Sequence, residues 1–277
     1  MLAHLLLSAA LAVTPDAPES MLNRPDAKLR ARLNAELGFL APVSHRIQFG
    51  TDGTMFDYVD EGGQDNLFTF VRASADLDIG SRHSVVFLFQ PLDLRSEVVA
   101  ARDVTISDVT FPQGTPMELR YGFSFVRASY LYDFVEGPRK ELALGVSLQI
   151  RNATIDFASQ DGSLFTSERD IGPVPILKAR GRTPIADHAW IGAEVDGFYA
   201  PVSYLNGDDN DVIGAIIDGS LRVGVAQKSG TDLFVSLRSI AGGAQGYSDA
   251  EDVDSGSDGY TENWLHFMTV SLGATLR

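Results

Sequence analysis

The sequence predicts an all-β chain: a single antiparallel, up-and-down transmembrane β-barrel of about ten strands, with short turns at one end and long loops at the other. Three observations carry that prediction. Apolar and polar residues alternate with a period of two through most of the chain, which puts them on opposite faces of a strand. The connections between the alternating runs themselves alternate between short and long. An apolar leader supplies the export step that such a protein needs.

Composition narrows the function. The 277 residues hold 22 Lys+Arg against 37 Asp+Glu, a net charge of −15, and no cysteine. Disulfide scaffolds, thiolate metal sites and a cysteine nucleophile are excluded. The negative balance argues against nucleic acid as a partner, since phosphate binding needs clustered cations. At 44% hydrophobic and 21% charged, the chain is neither disordered nor a helical membrane protein.

Residues 1–12 read as a signal peptide. Their apolar run is too short to span a bilayer as a helix and ends in the small-x-small pattern Ala10-Leu11-Ala12, although no Lys or Arg precedes it. Residues 13–28, with Pro15, Pro18 and Pro25, read as a periplasmic linker, and 29–277 as the barrel.

The first strand is expected from Leu29, where Leu33, Leu37 and Phe39 alternate with Arg30, Arg32 and Glu36. Leu67 to Ile79 and Ser84 to Leu94 form the next pair, joined around Gly80. Met117 to Phe134 and Glu141 to Arg151 follow, joined around Gly137; then Ile171 to Thr183 and Ala189 to Tyr199, joined around Ile185. Val212 to Gln227 and Asp232 to Ala244 turn at Gly230, and Trp264 to Arg277 closes the set. Five longer connections, 42–66, 95–116, 152–170, 200–211 and 245–263, are read as loops at the other end. Pro91 and the run Phe123, Phe125, Val126 break the alternation, and a β-bulge at each would absorb the slip.

Two features turn the apolar face outward. Nearly every cation on the polar face is Arg, whose planar fork suits enclosed pairing with carboxylates. Aromatics such as Tyr121, Phe123, Tyr130, Tyr132, Tyr199, Trp264 and Phe267 gather towards strand ends, as interfacial girdles do. The expected lumen-facing charge network comprises Arg30, Arg32, Glu36, Arg72, Asp76, Glu118, Arg120, Arg151, Lys178, Arg180, Arg182, Glu194, Asp196, Asp218, Arg222 and Arg238. Unpaired buried charge is costly, so these side chains are expected to pair and plug a small barrel.

On this patterning, Leu29 to Arg277 resembles the outer-membrane β-barrel proteins of Gram-negative bacteria as a class. The resemblance implies an outer-membrane location with both termini periplasmic, and contact with membrane lipid, lipopolysaccharide and the barrel-insertion machinery. The last residue is Arg277, where the class usually ends in an aromatic.

Catalytic constellations are sparse. His4, His45, His83, His188 and His266 are dispersed. Outer-membrane lipid A deacylases place a Ser two residues from a lipid-facing His, but Met268 stands two beyond His266. Omptin-type proteases use an Asp-His couple at the outer rim, but Asp187-His188 falls in a turn at the other end. Acidic loop residues Asp208, Asp209, Asp211, Asp252, Asp254 and Asp258 are candidates for a divalent cation, without EF-hand order. The expectation is a non-enzymatic barrel with a plugged interior, acting as a structural, surface-interaction or assembly component, with an envelope protein as a candidate partner. The alternative is a narrow channel for anionic or polar solutes past Lys178, Arg180 and Arg182; a lipid-acting or proteolytic enzyme comes third.

Overall fold

A computed structural model describes residues 22, 28–135, 139–201, 212–227, 230–247 and 258–277. The expected signal peptide, and the linker apart from Leu22 and Lys28, lie outside the described residues. The strands are β1 (Leu29–Phe49), β2 (Phe56–Asp57), β3 (Phe68–Ile79), β4 (His83–Gln90), β5 (Asp93–Val99), β6 (Val104–Ile106), β7 (Val109–Phe111), β8 (Pro116–Phe123), β9 (Phe125–Asp133), β10 (Glu141–Ser159), β11 (Phe165–Pro184), β12 (Ala189–Pro201), β13 (Ile213–Ala226), β14 (Thr231–Tyr247) and β15 (Tyr260–Leu276).

Ten of them close a barrel in the order β1, β3, β4, β9, β10, β11, β12, β13, β14, β15, with β15 pairing back to β1. Closure leaves no sheet edge, the condition for a sheet to sit in hydrocarbon. Outside the barrel wall runs a belt of exposed apolar side chains. Leu37 is 63% exposed, Leu177 71% and Leu272 61%, while the alternate positions on the same strands are buried. Such a surface is stable against lipid and not against water. Both described ends of the chain meet at one end of the barrel, where Leu22 N donates to Arg277 O at 2.9 Å.

Towards the opposite end the pattern inverts. On β10 the outward residues Leu142, Leu144, Val146, Leu148 and Ile150 give way to Asn152, Thr154 and Asp156, while the inward Ser147 and Gln149 give way to Ala153, Ile155 and Phe157. On β4 and β5 the outward Phe87 and Phe89 are succeeded by Asp93, Arg95 and Glu97, and the inward Gln90 by Leu92 and Leu94. The strands have left the bilayer, and their sides obey the rule of a water-soluble sheet, apolar in and polar out.

This inversion replaces the two expected bulges. Gln90 pairs Phe125 and Asp93 pairs Gly122, three residues on along each strand. Likewise Val126 pairs Ile150 and Phe123 pairs Ala153. No residue is inserted at either place; the surroundings change and the register does not. The register shift in the β1–β15 ladder falls instead between Pro42 and Ser44.

The expected loop 152–170 is a hairpin, since β10 and β11 continue in pairing to Ala158 and Phe165. Its tip is tied by Asp161, which accepts from Ser159 Oγ and Ser163 Oγ at 2.7 Å each; these bonds hold its carboxyl down to about 2. Loop 95–116 holds β5, β6 and β7, and loop 42–66 holds the end of β1 and β2. Together they form a head whose core includes Ile47, Phe49, Phe56, Tyr58, Ile106, Phe111, Met117, Leu119, Ile155 and Phe157. Tyr121, Phe123 and Phe267, expected in a lipid girdle, belong to or pack against this core instead. Tyr130, Tyr132, Tyr199 and Trp264 do lie on outward-facing rows.

Candidate functional site

Most of the network residues are aimed inward by strand parity, and register decides the first partner of each. Arg32 lies opposite Asp76, Glu36 opposite Arg72, Lys178 opposite Asp196, and Arg180 opposite Glu194. Contacts across the lumen then join distant strands. Arg72 reaches Glu194 at 2.9 Å, Arg180 reaches Asp76 at 2.6 Å, and Arg222 reaches Glu36 at 2.9 Å. Lys178 Nζ sits 3.0 Å from Glu194 and 2.9 Å from Asp196.

Asp196 and Asp218 are directly opposed on β12 and β13, a repulsive pairing. Arg127, fully buried, resolves it by standing 2.8 Å from Asp196 and 3.4 Å from Asp218 while donating to Gln149 Oε1 at 3.0 and 2.7 Å. Arg238 holds the other oxygen of Asp218.

A pocket among these side chains has a volume of about 60 Å³, room for a few waters at about 10–15 Å³ each. Towards the end with the termini, Arg182 stacks at 4.0 Å on Trp190, whose ring lies 5.8 Å from that of Phe234. Phe234 occupies the space that a Cβ on Gly273 would need, 2.2 Å away. Towards the head, Leu40, Phe70, Phe125, Ile240 and Phe267 form an apolar floor over the charges.

Most of the expected network residues meet in this lumen. Arg30 stands exposed at the terminal mouth, bonded to Gly80 O at 3.3 Å. The side chain of Arg151 lies outside the described residues. Glu118 and Arg120 are corrections: they sit on the outer face of the head, where Arg120 pairs with Asp93 at 3.0 Å, because β8 has already passed the inversion. Asp78, Arg127 and Glu141, which alternation also puts on the polar face, belong to the network, and Asp232 and Arg277 join it without having been expected there. Parity identifies Asp232, which shares its phase with Ser236 and Arg238.

Of the acidic loop candidates, Asp208, Asp209, Asp211, Asp252 and Asp254 lie outside the described residues. Asp258 is engaged in structure, accepting from the Thr51 hydroxyl, from Tyr260 N at 3.1 Å and from Thr51 N at 3.1 Å, and these bonds, the hydroxyl's foremost, lower its pKa. No cluster of metal-ligating side chains occurs among the described residues.

His45 lies in the head core, stacked 4.3 Å from Tyr58 and bonded to Gln64 at 2.8 Å. His188 occupies the β11–β12 turn at the end with the termini. His266 faces outward near the head side of the apolar belt, and its Nε2 is 3.0 Å from Ser239 Oγ on β14. The serine that chain spacing lacks is supplied by the neighbouring strand.

No family model matches the sequence. No curated protein matches it. Among solved structures, the outer membrane protease OmpT from Escherichia coli aligns with a TM-score of 0.52 at 11% identity, over 92% of this chain and 98% of that one. Ail, the attachment invasion locus protein of Yersinia pestis, aligns with a TM-score of 0.39 at 9% identity, over 89% and 99%. The Pseudomonas putida toluene transporter TodX aligns with a TM-score of 0.34 at 8% identity, over 92% and 91%. The likeness to OmpT is one of fold: this chain is built as an outer-membrane β-barrel.

Proposed function

We propose that the protein is a non-conducting outer-membrane barrel, a structural, surface-interaction or assembly component whose working surface is the head. The observation that carries this reading is the filled lumen, with a pocket of about 60 Å³ between an apolar floor and an aromatic plug. An aqueous pore needs a continuous polar path, and here the cations of the channel alternative are all held by carboxylates: Lys178 by Asp196, Arg180 by Glu141 and Arg182 by Asp232. The head is a different kind of surface. It is tied together by Arg102, whose fork meets both oxygens of Glu61 at 2.8 Å, and by Ser107, 2.6 Å from Glu168. Fixed polar groups on a rigid support suit recognition of an envelope protein or of lipopolysaccharide.

In this reading the head is extracellular and both termini are periplasmic, where the final strand is available to the insertion machinery. Single-channel recording of the purified protein in planar bilayers tests it. A flat baseline is expected; regular conductance steps from wild-type protein would replace this reading with the channel.

A further inference from the structure

The outward wall from β11 to β15 and on to β1 carries a concavity. A row of residues runs across it in register: Leu177, Gly197, Ile217, Ala241, His266 and Ser44. The small residues Gly197, Ala215 and Ala241 make its floor, while Leu177 (71% exposed), Tyr199 (73% exposed) and Trp264 stand around it. The groove has a volume of about 880 Å³, within the range of ligand clefts, about 300–1,000 Å³. No charged side chain lines it among the described residues.

At its β15 side stands the His266–Ser239 couple, 3.0 Å apart. Beyond it along the outward row come Met268, Val270 and Leu272 in one direction and Trp264 in the other. The couple therefore sits at the edge of the apolar belt, the depth at which hydrocarbon gives way to the ester and headgroup region. Polar side chains on a lipid-facing wall are costly unless they meet a polar partner.

We propose that this groove binds one acyl chain of a membrane lipid, with the His266–Ser239 couple hydrogen-bonding the ester that joins that chain to its headgroup. Charge selects the occupant. A phosphate or a free fatty acid calls for a cation, and the groove offers none; a neutral hydrogen-bonding couple beside an apolar trough fits an ester carbonyl and its chain. The assignment is binding and not hydrolysis. Among the described residues no carboxylate bonds the second ring nitrogen of His266, and the adjacent backbone is committed to the β14–β15 and β1–β15 ladders.

Trp264 lines the groove and reports on it, whereas Trp190 is buried in the lumen at 6% exposure. The experiment measures tryptophan fluorescence in dioleoyl phosphatidylcholine vesicles containing increasing fractions of a phosphatidylcholine with one dibrominated stearoyl chain. It uses the full chain and a Trp190→Phe variant, the wild type serving with a constant Trp190 background should that variant fail to fold. Half-quenching is expected at a mole fraction at least about threefold lower than in Gly197→Leu, whose side chain fills the floor. Position 197 has room, because an added Cβ would meet Ile216 O at 3.9 Å. The ester lipid is expected to quench better than its ether-linked analogue, and His266→Phe or Ser239→Ala to abolish that preference. Quenching that follows bulk mole fraction equally in all variants, with no preference for the ester, would overturn the proposal.

Discussion

Replacing Arg127 by Met probes the lumen at its most enclosed point. The side chain is fully buried, donates twice to Gln149, and stands 2.8 Å from Asp196 and 3.4 Å from Asp218. Methionine keeps much of the packing and removes the charge. Asp196 retains Lys178 at 2.9 Å and Asp218 retains Arg238, so neither carboxylate is left bare. Breaking a buried pair costs about 3–5 kcal/mol, and these remaining partners place the loss at the lower end, about 3 kcal/mol. Adding Asp196→Asn removes the repulsion that Arg127 had bridged, so the double variant is expected to show about 1–2 kcal/mol of coupling. Guanidinium unfolding in lipid vesicles, followed by tryptophan fluorescence, reads all members of the cycle. A single-variant loss below about 1 kcal/mol with no coupling is what a solvated pair gives, and would mean that the lumen is full of water.

Three further outcomes follow from the same geometry. Leu237→Arg, on the lipid-facing row, is expected to destabilise by about 2–4 kcal/mol if near the bilayer midplane, whereas Glu118→Arg, outward on the head, should stay within about 0.5 kcal/mol; vesicle unfolding compares them. Burial in the head core holds the pKa of His45 down to about 4, against an ordinary value of 6.5. Its neutral form is the one that folds, so the head has full stability above pH 6.5 and loses about 3 kcal/mol as the pH falls towards 4. Hydrogen exchange of the head amides should show that loss, and His45→Gln should flatten it. Phe234→Ala, which empties the space over Gly273, is expected to destabilise by about 3–5 kcal/mol without opening a conducting path, because the network above it is unchanged; unfolding and planar-bilayer recording read the two effects.

The ten-stranded barrel and its charged interior were legible because period-two alternation has one meaning for as long as the surroundings stay constant. That condition ends near Ile150, Pro91 and Ser124, where the strands pass from lipid to water. Reading Ala153, Ile155 and Phe157 with the phase that suits lipid makes residues 152–158 look like a loop, although they alternate as cleanly as those before them. The same assumption put Glu118 and Arg120 in the lumen and turned a change of environment into two bulges. Arg277 was legible as a departure from the usual aromatic ending and not as a network member paired with Asp232. The contact of Ser239 with His266 depends on the β14–β15 register, which the chain spacing of either residue does not carry.

One set of strands faces lipid below a sharp level and water above it. The chain has no cysteine, so single cysteines placed along β10 from Leu142 to Ala158 carry a spin label without background. Collision with oxygen reports lipid and collision with a neutral nickel chelate reports water. Even positions from 142 to 150 should respond to oxygen, even positions from 152 to 158 to the chelate, and buried odd positions such as 147, 149, 155 and 157 to neither. Even positions that respond to the chelate along the whole strand would mean that no part of the wall meets lipid.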